Sequence, residues 1–192
     1  HRINDPDWIW YTSYIWLTEL DTPHRAIERL RVAEELVASS RAGVRLVTLA
    51  AGLLTAGYVF LSWGQRQRAE DTWREAQELA ERSGQVYLLL AIPVISGVFA
   101  AMDGRLEESE KISQLIMTRG EEMGLTSLAT VYAITCLYRI WIFLGKAEEA
   151  LKLVMAHYPL PCFKALFLAH LGKDKEVVEP VSYTHLRAHE TV

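Results

Sequence analysis

One short pattern recurs along the 192-residue chain, and its spacing limits the possible folds more than any other feature. It is plainest from Trp63 to Glu70, returns from Asp103 to Glu110, and returns again from Leu144 to Leu151. Each copy is a turn glycine, a mostly polar or charged stretch, and a small residue that opens a helical period. Setting the turn residue at zero gives Asp21, Gly64, Gly104, Gly145 and Gly172, spaced by 43, 40, 41 and 27 residues. Five residues later come Ala26, Ala69, Ser109, Ala150 and Val177, and seven residues earlier come Tyr14, Gly57, Gly97, Tyr138 and Ala165. A glycine inside a helix costs about 1 kcal/mol relative to alanine. Gly57 and Gly97 therefore need a compensating reason, and close approach of a paired helix supplies one. A period near 40 with two helices per unit marks a helical-repeat array.

The segments between turns alternate in character. Residues 46–65, 83–102 and 125–138 carry no charge, whereas 65–82 and 103–122 carry nine charged residues each. An apolar helix thus alternates with an amphipathic, ion-pair-laced one. Asp5-Pro6 reads as a helix start, an acid at the N-cap followed by proline at the first helical position. The first helix is expected over about 7–20, and Asp21-Thr22-Pro23 breaks it and starts the next, which runs to about Ser40. In that second helix Ala26, Leu30, Ala33 and Val37 share one face. Gly84 and Gly124 fall where a left-handed helix C-cap belongs. Pro93 lies inside an apolar helix, where a tolerated kink is expected.

The pattern resembles tetratricopeptide repeats, which carry a small residue in the first helix, a turn glycine, and alanine five residues on. Gly57, Phe60, Gly64, Ala69 and Ala76 match one unit, Gly97, Gly104 and Ser109 a second, Trp141, Gly145 and Ala150 a third, and Asp21, Ala26 and Ala33 a degenerate first. The period is 40 or more rather than 34, and Glu81 and Glu121 stand where the helix-ending proline belongs. Longer units of this kind resemble the arrays of bacterial signalling ATPases, maltose-regulator-type transcription factors and repeat-bearing adenylate cyclases. The resemblance implies an all-α fold, a TPR-like superhelix (solenoid) of four to five helix pairs. Its units are expected at about 5–41, 42–84, 85–124, 125–158 and 159–180, within one array over 1–180. The first residues read as mid-domain sequence, so a fragment of a larger protein is expected. Residues 182–192 resemble a translated sequencing adaptor, so 181–192 is expected to be a non-native or disordered tail.

Composition and motifs narrow the function. A net charge of −4 gives no basic footprint, so no nucleic-acid partner is expected. Cys136 and Cys162 have no paired spacing, which points to reduced thiols and a cytoplasmic chain. His185 and His189 are four apart, as two ligands on a helix would be, but a third ligand is missing and no metal is expected. Gly145-Lys146 and Gly172-Lys173 lack the upstream glycine and the following hydroxyl of a phosphate loop, so no nucleotide and no cofactor is expected. No nucleophile, base and stabiliser can be assembled, so this stretch reads as not an enzyme. The runs 46–65 and 83–102 are long enough to span a bilayer, which makes a polytopic integral membrane protein the alternative. Against it, each run lies in phase with a helix too charged for lipid, so no membrane partner is expected.

In repeats of this family the first helix of each unit lines the concave surface. The resemblance places Trp8, Tyr11, Tyr58, Tyr132 and Arg139 there by register. Aromatic rings with an arginine suit a peptide- or protein-binding groove, while packing between repeats accounts for aromatic residues at helical spacing too. The sequence thus points to a protein–protein interaction or scaffold module in signal transduction. Its partner would be a protein, a peptide, or other domains of the same chain.

Overall fold

The computed structural model describes residues 5–19, 22–157 and 161–178. Asp21, Pro180 and the tail carrying His185 and His189 lie outside the described residues. Everything described is helix or connecting turn, with no strand. The helices are α1 (Pro6–Glu19), α2 (Ala26–Ala38), α3 (Leu46–Ser62), α4 (Arg66–Ser83), α5 (Val86–Met102), α6 (Leu106–Glu122), α7 (Thr126–Phe143), α8 (Ala147–His157) and α9 (Pro161–His170). A 3₁₀ turn at Pro23–Arg25 leads into α2, and 174–178 form a further helical turn. The chain divides into two compact units, His1–Ile92 and Pro93–Val192. The helix α5 runs through Pro93 without a break and carries the division between them.

The recurring glycines are the C′ residues of one repeated closure. Gln65 N–H donates to Phe60 O at 3.0 Å and Gly64 N–H to Leu61 O at 2.9 Å, with Gly64 at φ +71°. These are the two bonds of a Schellman motif, which satisfies carbonyls at a helix end. The same six-residue closure recurs from Arg105 to Ala100, Leu125 to Gly120, Lys146 to Trp141 and Lys173 to Leu168, at 2.7–3.0 Å. Four of these closing residues also begin the next helix: Gln65, Arg105, Leu125 and Lys146 accept from Ala69, Ser109, Ala129 and Ala150. Three residues therefore suffice to link one helix to the next. The residue five past each glycine falls in the crotch between them, and Ala69, Ser109, Ala129 and Ala150 are all buried. Sequence register found this small residue at three of the four turns. Gly124 with Ala129 is the same device, used after a charged helix.

In the first unit α3 packs on α1, α2 and, most extensively, α4. With neighbours on several sides α3 is buried along most of its length, from Thr48 to Phe60, and must be apolar nearly all round. α4 keeps charge on its outer face while Ala69, Thr72, Trp73, Ala76, Leu79 and Ala80 turn inward. Two ion pairs bind α2 and the loop after it to α4: Arg68–Glu34 at 2.7 Å and Arg41–Glu75 at 3.0 Å. The second helix ends at Ala38 rather than Ser40, because Ser39 is extended (φ −76°, ψ 160°) and its hydroxyl donates to Leu36 O at 2.7 Å.

In the second unit α7 lies against α6, α8 and α9. One cluster joins Ala133, Ile134, Leu137 and Trp141 to Ala147, Ala150, Val154 and Phe167. Another joins Val94 of α5, Ile116 of α6, and Ala129 and Cys136 of α7.

The two internal glycines have different uses. At Gly57 the paired charged helix does approach, through Trp73 of α4: a Cβ there would lie 2.2 Å from Trp73 Nε1. At Gly97 the paired helix reaches the carbonyl, with Ser109 Oγ donating at 2.7 Å. The space a Cβ would take is held by Cys136 Sγ of the following apolar helix, at 2.9 Å. Gly120 is a third close approach that register did not single out, where a Cβ would fall 2.1 Å from the Ala129 Cβ.

Candidate functional site

Helix α1 has one buried side and one bare apolar side. At 100° per residue, Trp8, Tyr11 and Ile15 fall on one face and Trp10 and Leu17 on the opposite one. Trp10 and Leu17 are fully buried, whereas Trp8 is 53%, Tyr11 41% and Ile15 36% exposed. The Trp8 and Tyr11 rings meet edge to face at 5.7 Å, and Tyr11 meets Tyr14 at 6.3 Å.

The buried side is firmly held. Trp10 Nε1 donates to Ser40 O at 3.3 Å, and the Arg41 guanidinium lies 5.4 Å from its ring. Gly52 of α3 makes room for it, since a Cβ there would meet Trp10 Cε3 at 2.9 Å. Asp7 ties the start of α1 to the start of α3, accepting from Arg45 N–H at 2.9 Å and Arg45 Nε at 2.7 Å. Partial burial opposes the Asp7 charge, but hydrogen bonds from the Arg45 backbone, the Thr48 hydroxyl and the Arg45 guanidinium outweigh it and hold the carboxyl below its ordinary value. Arg29 Nη2 donates to Leu17 O at 2.9 Å near the other end. The exposed stripe is thus mounted on a fixed helix.

Tyr58 stands exposed on α3, its ring edge-on to Trp73 at 4.9 Å and 70°. It lines a groove of about 540 Å3 with Thr22, Pro23, Ala26, Ser62 and Trp63. Trp63, the residue before the turn glycine, is 42% exposed and adds a second aromatic ring. Sequence register did not select Trp63 or Ile15, although both are large apolar residues next to positions that it did select.

The other two expected residues belong to the second unit, on α7. Tyr132 is half-buried and packs with Val98 and Ile112 on the cluster around Ile116 and Cys136. Arg139 is exposed, its guanidinium 5.3 Å from the Tyr138 ring. Among the five residues, then, Trp8 and Tyr11 are in contact, Tyr58 faces a groove of the same unit, and Tyr132 serves packing.

Cys136 is buried, and its thiol donates toward Val94 O at 3.6 Å. Burial pushes this thiol up to about 11 against a smaller opposing effect from the Ser113 hydroxyl, so it stays protonated at neutral pH. Among the described residues no three His, Cys, Asp or Glu side chains are grouped as a metal ion would need. One described helix, α7, is long and apolar enough to cross a membrane by length and composition, with mean hydropathy 1.3 and 44% of the span buried.

No family model, curated protein or solved structure matches this chain.

Proposed function

We propose that the chain is part of a TPR-like α-α array of four to five helix pairs, with units near 5–41, 42–84, 85–124, 125–158 and 159–180. It works in the cytoplasm as a protein–protein interaction or scaffold module of a larger bacterial signalling or regulatory protein, and is not itself an enzyme. The observation that carries this reading is the α1 stripe of Trp8, Tyr11 and Ile15. It is large, aromatic, exposed, and fixed from behind by Trp10 and Asp7. Large rigid aromatic side chains give contact area at little entropic cost, which is why they anchor protein interfaces. Tyr58 and Trp63 supply a second aromatic surface in the same unit. The repeated three-residue turn and its buried small residue support the array itself.

A photo-crosslinking residue at Trp8 tests the reading in cells. The partner so captured is then titrated against wild type and a Trp8→Ala, Tyr11→Ala double variant of unchanged helical circular dichroism. At least tenfold weaker binding is expected, and equal binding rules out this face.

The alternative is a polytopic membrane protein, favoured by the length and hydropathy of α7. The burial of α3 between α1, α2 and α4 weighs against it, because protein rather than lipid then accounts for the lack of charge. Fractionation separates the two. Wholly membrane-bound protein that only detergent releases overturns the module reading.

A further inference from the structure

A slot of about 200 Å3 opens in the second unit where α6, α7 and α8 meet. Met117, Leu137, Trp141 and Leu153 give it apolar walls, and Glu110 and Glu149 add carboxylates to its lining. Lys146 donates to Glu110, and that hydrogen bond holds the ammonium charged. Glu149 and Glu107 act on the same cation at longer range. Of the two carboxylates in the lining, Lys146 engages Glu110, which leaves Glu149 as the second, negatively charged group of the slot.

The shape narrows the occupant. A ligand pocket for a small molecule spans roughly 300–1,000 Å3, so this slot suits one side chain. Apolar walls with a carboxylate among them complement a side chain with a long apolar stem and a cationic head, because such residues bury the stem and keep the head with polar groups. Glu110 is already engaged by Lys146, and Glu149 forms no ion pair among the described residues. We propose that this slot takes an arginine or lysine side chain from a segment of a partner protein, its stem along Trp141 and its head at Glu149. The site is separate from the α1 stripe, and the proposal does not rest on that stripe's role.

The capped tripeptide acetyl-Gly-Arg-Gly-amide is the probe, and its citrulline counterpart is the neutral isostere. Binding is followed on the assigned indole N–H resonance of Trp141 in 15N-labelled protein. A saturable shift with the arginine peptide is expected. Glu149→Gln should weaken it about three- to fivefold, the range of a partly exposed ion pair. Glu122→Gln removes an equal charge from the far end of α6 and should leave affinity unchanged. Spectra that otherwise superimpose establish that both variants are folded. The proposal is overturned by the absence of a saturable shift, by equal binding of the citrulline peptide, or by equal weakening in both variants.

Discussion

Gly57→Ala sets two opposed effects against each other at the most tightly packed point of the first unit. Alanine is the better helix former by about 1 kcal/mol, and Gly57 lies well inside α3, so propensity alone makes the variant more stable. Packing opposes this. The new Cβ would lie 2.2, 2.5 and 2.6 Å from Nε1, Cδ1 and Cε2 of Trp73, far inside any real carbon contact. Trp73 cannot easily retreat, being 2% exposed with its Nε1–H donating to Leu54 O at 2.8 Å. Forcing extra volume into a packed core costs roughly 1–3 kcal/mol, and stranding a buried donor adds about 1–3 kcal/mol. The balance is a net loss of about 1–5 kcal/mol, a large share of the 5–15 kcal/mol that holds a typical domain.

Urea unfolding followed by circular dichroism at 222 nm measures it. Two companion variants assign the cause. Trp73→Leu removes Nε1 and Cε2, two of the three atoms that the Cβ would strike, so Gly57→Ala should cost less in that background, a coupling of about 1 kcal/mol or more. Gly64→Ala has nothing within 4 Å of its Cβ and meets only the strain of φ +71°, so it should cost about 1–2 kcal/mol and show no coupling to Trp73→Leu. A Gly57→Ala protein that is more stable than wild type, and indifferent to Trp73→Leu, would refute the close approach of α4 to α3.

Three further outcomes follow from two titratable groups. At pH 8 the native protein should take up iodoacetamide quickly at exposed Cys162 and not at Cys136, whose thiolate population is about 100-fold below that of a thiol at 9.0; similar rates at both sites in native protein refute the buried setting. Because the folded Cys136 value is raised, its contribution to stability is intact below the unfolded value of about 9 and is lost as pH rises toward 11, a loss that Cys136→Ala should remove. Asp7 has the opposite sign: its value is lowered on folding, so its contribution is present above about pH 4 and is lost as pH falls through the folded value. Asp7→Asn should cost about 1 kcal/mol at pH 7 and nothing at pH 2, read from urea midpoints, and an equal cost at both pH values refutes the charge-based account.

The parts of the fold that were legible in the sequence are those governed by local rules. Gly64, Gly104 and Gly145 sit at positive φ because only glycine enters that region freely, so their spacing displayed the turns directly. The small residues five positions later were legible too, since a three-residue link leaves no room for a larger one. What was not legible depends on direction in space. Gly97 and Gly57 share a register position, yet one makes room for Cys136 of the next apolar helix and the other for Trp73 of the paired helix, because the larger side chain comes from a different neighbour in each case. Tyr132 and Trp8 share a register position too, but Tyr132 packs on a cluster built by α5 and α6, whereas Trp8 has no such cover among the described residues. The slot at α6, α7 and α8 was invisible for a stronger reason: its carboxylates come from two helices, and neither helix carries an unusual pattern by itself.

One consequence of the turn ties the fold to the surfaces it presents. A three-residue link forces consecutive helices to lie side by side, and a helix with neighbours on several sides has no face left for charge. That is why α3 is uncharged while α4, which meets α3 on one face, carries ion pairs elsewhere, from Arg68 to Glu34 and from Glu75 to Arg41. A first-position helix should therefore be apolar wherever a neighbour covers it. α1 obeys this on the side of Trp10 and Leu17, where Gly52 of α3 meets Trp10, and is also apolar at Trp8, Tyr11 and Ile15, which stay 53%, 41% and 36% exposed. Tryptophan, tyrosine and isoleucine are poor choices for a helix face that only meets water. Their presence on the exposed side of α1 is the feature from which we propose a contact surface for another protein chain.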